Sequence, residues 1–160
     1  MEHAQLVKAF AATVQASLHG LQTLEPILVR EREALSGREP DRLEAVVREK
    51  LTELKSLEPS IKARDRLLAI AGLVGGIEGG GQLVSQVNDI ALAEHWSQLV
   101  DLAGRVAALN DQNAQLANQG QRATRAALGI LTGRPDRDDT YASLRRGRSN
   151  KSSSHTLGVV

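Results

Sequence analysis

The side chains that could catalyse a reaction or hold a metal are scattered along this chain. No two of its histidines lie three or four residues apart, the spacing that places two metal ligands on one helical face. The carboxylates lie in charged runs such as Glu31-Arg32-Glu33, or four residues from a base, as Glu44 lies from Arg48. Such patterns are typical of solvated helix faces. We therefore expect no enzyme, no metal site and no cofactor. The histidines are His3, His19, His95 and His155.

A glycine-rich segment, residues 72–81, has six glycines in ten positions and invites comparison with a phosphate-binding loop. Such a loop follows a buried strand and ends in Lys-Ser or Lys-Thr at the start of a helix. Here Gln82 and Leu83 follow, no strand precedes, and Glu78 would repel a phosphate. We predict instead a flexible connection between two helices.

The charge is uneven along the chain. Residues 133–160 hold six basic and three acidic side chains, whereas the first 132 residues carry 14 basic and 16 acidic ones. A basic cluster such as residues 145–148 binds phosphates without sequence preference. However, Tyr141 is the only aromatic residue close enough to stack on a base. Nucleic-acid binding is therefore kept only as a less favoured alternative.

The composition predicts an all-α protein that neither enters nor crosses a membrane. The chain is 41% hydrophobic but only 2% aromatic, and its apolar residues are mostly Leu, Val, Ile and Ala. These residues are typical of long helices that pack against one another along an apolar stripe, called a seam below, with residues spaced three and four apart. There is no cysteine, no basic N-terminal region followed by an apolar run, and no stretch of about 18 apolar residues. We expect a soluble, cytoplasmic protein.

Two helices are predicted in the first half of the chain. Apolar residues alternate at spacings of three and four from Val7 to Leu35, and again from Leu43 to Ala71. Interior prolines predict a kink in each helix, near residues 22–26 and at Pro59. Gly37 is predicted to end the first helix in a left-handed cap, and Pro40 to begin the second. The short turn predicts an antiparallel hairpin.

A longer helix is predicted in the second half. We expect it to begin near Gln82, either continuous or interrupted near Glu94, and to end at Gly133. Its seam from Leu92 to Ile130 spans about 39 residues, or about 58 Å. The predicted fold is an antiparallel bundle of three to four long, coiled-coil-like helices over residues 1–133. Residues 134–160 lack the apolar content that folding requires and are predicted to be a flexible, disordered, polar and basic tail.

The end of this seam is only half filled. Asn113 occupies a seam position, where a single polar residue often fixes register. Gly120, Ala123 and Ala127 then leave the seam underpacked, while Leu128 and Leu131 add an apolar stripe. Two explanations fit equally well: a groove that another protein's helix completes, or a frayed helix end.

The segment from Leu109 to Tyr141 resembles the FlgN family of flagellar export chaperones. The resemblance covers most of the chain but is diffuse in the N-terminal half. It is more specific in the C-terminal half, where the family pattern is an Asn-rich helix, a basic pair, a Leu-x-Gly ending and a tyrosine in the tail. The matching residues are Leu109, Asn110, Asn113, Leu116, Arg122, Arg125, Ala127, Leu128, Leu131, Gly133, Thr140 and Tyr141.

The resemblance implies a cytoplasmic chaperone of the flagellar type III secretion system. Such proteins bind hook–filament junction (hook-associated) proteins through the clients' C-terminal helices, keep them unassembled, and dock on the cytoplasmic domain of the export gate. By position, Tyr141 would be the gate contact, although Ala142 follows it where the family often has glycine. The positions that would bind the client are Asn110, Asn113, Leu116, Arg122, Arg125, Leu128 and Leu131.

Two other functions remain open at this stage. The seams could close on a second copy of the chain, which would make the protein a homo-oligomeric coiled-coil scaffold. Less favoured is a nucleic-acid-binding protein that uses the basic tail.

Overall fold

A computed structural model of the chain describes residues 2–132, with side chains as far as Leu128. The chain divides into two units, Met1–Ala117 and Asn118–Val160. The described residues form four helices and no strand, which confirms the all-α prediction. The helices are α1 (His3–Gly37), α2 (Pro40–Ile70), α3 (Gly76–Gln86) and α4 (Ile90–Thr132). The predicted tail, the stop at Gly133 and the domain boundary after residue 133 lie outside the described residues.

α1 and α2 form the predicted antiparallel hairpin. Pairs of contacting residues run in opposite directions along the two helices: Arg42 bonds to Glu33 at 2.8 Å, and Arg30 to Glu49 at 2.5 Å. Further along, the Ser17 and Ser60 hydroxyls lie 3.0 Å apart. Gly20 of α1 allows the helices to approach closely, since a Cβ there would lie 2.7 Å from the Leu57 side chain of α2.

The turn between α1 and α2 corrects one prediction. Arg38, and not Gly37, adopts the left-handed conformation, with φ of 53°. The helix continues one residue further than expected, so the left-handed position moves on by one. The Glu39 amide then donates to the Ala34 carbonyl at 3.0 Å and closes the helix end. Pro40 is the first residue of α2, as predicted.

The first part of α4 completes a three-helix bundle. Phe10 of α1 contacts Trp96 with ring centroids 5.7 Å apart, and Glu25 accepts a hydrogen bond from Arg105 at 3.0 Å. The residue numbers rise together, so α4 runs parallel to α1 and antiparallel to α2. One hydrophobic core extends from Leu6 to Val106 through these helices. The predicted antiparallel bundle of long helices is confirmed.

Of the glycine-rich segment predicted to connect two helices, residues 72–75 do so, but the prediction is wrong for residues 76–81, since Gly76–Gln86 is helix α3. Two of its glycines lie where a side chain would collide. A Cβ on Gly80 would lie 2.1 Å from the Trp96 ring, and one on Gly79 would lie 1.8 Å from the Val74 carbonyl oxygen. These glycines therefore allow close packing, and tertiary contacts outweigh their low helix propensity.

The start of the last helix also differs from the prediction. The helix is interrupted at residues 87–89, between α3 and α4, and not near Glu94. The last helix, α4, therefore begins at Ile90 and not near Gln82. Asp89 explains this position because its carboxylate accepts a hydrogen bond from the Leu92 amide at 3.0 Å. An aspartate with this contact caps a helix N-terminus.

Candidate partner-binding site

The α4 seam is filled over its first half. Leu92, Leu99, Leu102 and Val106 are buried in the core of the first unit, as the periodicity predicts. Beyond them the leucines of the seam are less buried, and Leu109 and Leu116 are only half-buried. The change in burial occurs where the seam becomes polar.

Asn113 lies in the interior of the first unit, with 2% of its surface exposed. Its amide nitrogen donates to the Leu28 carbonyl oxygen and to Oε2 of Glu31, both at 2.9 Å. Its own oxygen, Oδ1, is buried with no hydrogen-bond partner. The expected client-binding residue therefore holds α4 against α1.

Glu31 and Lys50 complete this polar cluster. Glu31 is 5% exposed and accepts a hydrogen bond from Nζ of Lys50 at 2.7 Å. Lys50 also lies 3.5 Å from the side-chain oxygen of Asn110 on α4. We call Glu31, Lys50, Asn110 and Asn113 the polar layer, since they connect α1, α2 and α4.

The sequence contained a signal for this layer, because Glu31, Lys50 and Asn113 all occupy seam positions. The expectation that the run Glu31-Arg32-Glu33 is solvated is wrong for Glu31. Its burial depends on a lysine 19 residues away, which a local charge pattern does not show.

The remaining candidate residues lie in the second unit. Arg122, Arg125 and Leu128 are exposed on α4, and so is every other side chain of residues 118–128. Arg122 and Arg125 are three residues apart, so they lie on neighbouring positions of one face. The Leu131 side chain and Tyr141 lie outside the described residues.

Other kinds of site were sought over the same part of the chain. Residues 2–132 contain no group of three or more His, Asp or Glu side chains placed to hold a metal ion. Within that range, no helix combines the length and the apolar content needed to cross a bilayer.

Comparison with known proteins gives the family. Residues 1–145 match the family model described as FlgN protein. The chain belongs to the FlgN family. This is a family of flagellar export chaperones, and not of enzymes. The match includes the whole first unit and the exposed part of α4.

Two curated relatives belong to a different kind of protein. The chain is 28% identical over 141 residues to peptide chain release factor 2 of Phenylobacterium zucineum (strain HLK1), which covers 88% of this chain and 32% of that protein. It is 31% identical over 126 residues to the same factor of Caulobacter sp. (strain K31), and this match covers 77% of this chain and 32% of that protein. The chain thus spans about a third of the length of these relatives. No solved structure matches the chain.

Proposed function

We propose that this FlgN-family protein is a cytoplasmic chaperone for hook-associated proteins of the flagellum. It binds these hook–filament junction proteins stoichiometrically, prevents their premature assembly and delivers them to the type III export gate. The observation that carries the proposal is the family match over residues 1–145. The mechanism is binding without turnover.

The proposed client contact is the exposed part of α4, residues 118–131. All described side chains from 118 to 128 face solvent. Most helical stability comes from tertiary packing of an apolar face, which a client helix would supply to this part of α4. A client helix packed along it would remove apolar surface such as that of Leu128 from water. Arg122 and Arg125 would pair with acidic client residues.

The polar-layer residues have a different role in this proposal. Asn110 and Asn113 hold α4 on the α1–α2 hairpin, and half-buried Leu116 extends that packing. They support the client-binding helix from within the first unit. Leu131 is proposed as a direct client contact, and Tyr141 as the residue that docks on the cytoplasmic domain of the export gate.

The test of the client contact uses the double variant Leu128→Asp and Leu131→Asp. It should lose binding to the purified C-terminal segment of a hook-associated protein, because two carboxylates would be buried against an apolar helix. The helical circular dichroism signal should persist. The matched control places the same two charges at exposed positions of α1, Gln15→Asp and Gln22→Asp, and should bind normally. Unchanged binding by the first variant would move the client site elsewhere.

The test of the gate contact is Tyr141→Ala. It should leave client binding intact and weaken binding to the cytoplasmic domain of the export gate. Loss of client binding would contradict this assignment. A salt-stable homodimer that ignores hook-associated proteins in sedimentation would overturn the whole proposal and favour a coiled-coil scaffold. Nucleic-acid binding that disappears on deleting residues 142–160 would favour the other alternative.

A further inference from the structure

An apolar cleft in the first unit lies outside the α4 segment considered so far. It runs between α2 and α4, has α1 as its floor and is bounded at one end by α3, and it encloses about 250 Å³. We call it the α2–α4 groove. Its apolar lining includes Leu21, Leu57, Ile61, Ile77, Val100 and Ala103.

The groove exists because α4 presents small residues to the apolar face of α2. The contact between Lys50 and Asn110 fixes the register of the two antiparallel helices. Seven residues further along α2 and seven back along α4, Leu57 falls opposite Ala103, and both line the groove. Gly104 and Ala107 follow Ala103, and a Cβ on Gly104 would meet nothing within 4 Å. No large side chain fills the space.

Large apolar side chains are consequently exposed around the groove. Ile61 of α2 is 40% exposed and Ile77 of α3 is 55% exposed. Leu54, one turn before Leu57 on the same face of α2, is 44% exposed. Apolar side chains that cluster in this way mark a binding surface more often than single exposed ones do.

The charges at the groove are already neutralised within the chain. Arg64 lines the groove and pairs with Asp65 at 2.9 Å. Lys50, two turns before Leu57 on α2, pairs with Glu31 at 2.7 Å. A charge on the inner face of an occupant would lose its hydration and find no free partner. The groove therefore fits an uncharged aliphatic surface. From Leu57 to Arg64, the part of α2 that lines the groove, the helix rises about 10 Å, which matches about two turns of an occupying helix.

A second copy of the chain fits this surface poorly. Two grooves are both concave, so they cannot fill one another across a two-fold axis. A helix from elsewhere on a second copy would make a head-to-tail contact, which closes into a ring or continues as a filament. A helix from a different protein avoids both problems.

We propose that the α2–α4 groove is a second docking surface for the client, and that it takes an amphipathic helix as the fourth helix of the bundle. The occupant places an uncharged aliphatic face against Leu54, Ile61 and Ile77 and leaves its polar face in solvent. This inference rests on the proposed chaperone function. It adds a contact within the first unit to the one on residues 118–131.

The first test is the double variant Leu54→Glu and Ile61→Glu, measured by calorimetric titration with the C-terminal segment of a hook-associated protein. Both side chains are at least 40% exposed, so the fold should tolerate the change. Affinity should fall at least about tenfold, equivalent to about 1.4 kcal/mol. The control, Val29→Glu with Ile70→Glu, adds the same charges at exposed aliphatic positions outside the groove and should stay within about threefold of the parent.

The second test uses the absence of cysteine from the chain. A polarity-sensitive fluorophore on Ile77→Cys should shift to shorter wavelength when the client segment is added, while the same label on Ile70→Cys should not. If the client binds, if Leu54→Glu with Ile61→Glu leaves its affinity unchanged, and if the label at position 77 shows no shift, the inference is overturned and the chaperone function stays intact. Absence of client binding by the parent protein would overturn the function itself. Self-association of the parent protein that the Leu54→Glu and Ile61→Glu variant abolishes would assign the groove to a second copy of the chain.

Discussion

Asn113 of α4 donates a hydrogen bond of 2.9 Å to Oε2 of Glu31 on α1, and neither residue is more than 5% exposed. Lys50 of α2 donates to the other carboxylate oxygen of Glu31 at 2.7 Å. All three long helices therefore meet at one buried carboxylate. A buried polar layer adds little net stability, but it penalises any register that separates its members. We infer that it fixes the position of α4 on the hairpin.

Asn113→Asp should be the most damaging single change in the polar layer. The new carboxylate would replace the amide donor and face two acceptors, Oε2 of Glu31 and the Leu28 carbonyl oxygen. An uncompensated buried charge costs about 3–5 kcal/mol. Asn113→Leu, which removes the donor without adding a charge, should cost about 1–3 kcal/mol. Urea unfolding measures both free energies.

The control for this prediction is Gln115→Asp, two residues along the same helix and exposed. It should change the free energy of unfolding by less than about 0.5 kcal/mol. Equal effects of Asn113→Asp and Gln115→Asp would show that Asn113 is not buried against Glu31.

Lys50→Met should destabilise the protein, because it leaves the Glu31 carboxylate buried with Asn113 as its remaining partner. A loss of about 3 kcal/mol is expected. Adding Glu31→Leu should restore most of that loss, since the pair is then replaced by apolar side chains of similar size. A double-mutant cycle by urea unfolding gives the coupling free energy. Additive effects of the two changes would contradict a direct interaction.

The three long helices could be predicted because helix formation depends largely on residues that are close in the sequence. Spacings of three and four place apolar residues on one helical face, and Pro40 marks a helix start, wherever the rest of the chain lies. α3 could not be predicted in this way. Glycines weaken a helix locally, and only Trp96, sixteen residues beyond Gly80, explains why a glycine is required there.

The candidate sites could also be predicted only in part from the sequence. The α2 seam identifies Leu54 and Ile61 as apolar-face residues, but the small residue Ala103 on α4, which leaves that face uncovered, lies more than 40 positions away. Arg122 and Arg125 were chosen through family resemblance, and the structure adds that they are exposed. Periodicity gives the face of a helix, and packing decides whether another helix covers it.

Gly80→Ala should destabilise the first unit, whereas Gly81→Ala should not. A Cβ on Gly80 would lie 2.1 Å from the Trp96 ring, and one on Gly81 would lie 3.8 Å from Nε1 of the same ring. The first requires the ring or the helix to move, at a typical cost of about 1–3 kcal/mol. The second is an ordinary contact and should gain up to about 1 kcal/mol of helix propensity.

Thermal unfolding followed by circular dichroism compares the two alanine variants directly. Near-ultraviolet circular dichroism of Trp96, the only tryptophan, should change for Gly80→Ala and stay constant for Gly81→Ala. Equal stability of the two variants would contradict the close packing of α3 on this ring.

Asp65 connects α2 to the start of α3. Its Oδ1 accepts hydrogen bonds from the Gly76 amide at 3.1 Å and from Nε of Arg64 at 3.0 Å. Burial by itself raises the pKa of Asp65. The hydrogen bond from Gly76, with the hydrogen bond and charge of Arg64, outweighs burial and holds the pKa below its ordinary value of 3.8. The folded protein thus favours the ionised carboxylate.

Asp65→Asn should therefore destabilise the protein in a pH-dependent way. A carboxyl group whose pKa is lowered on folding contributes stability above its unfolded pKa, and that stability is lost as the pH falls through the folded value. The Asp65 side chain is 42% exposed, so solvent screening limits the difference at neutral pH to about 0.5–1 kcal/mol. Urea unfolding of parent and variant should show this difference at neutral pH; the difference should decrease once the pH falls below the ordinary pKa and disappear below the lowered pKa of the folded protein. A difference that persists unchanged in acid would show that the charge of Asp65 is not what holds α3.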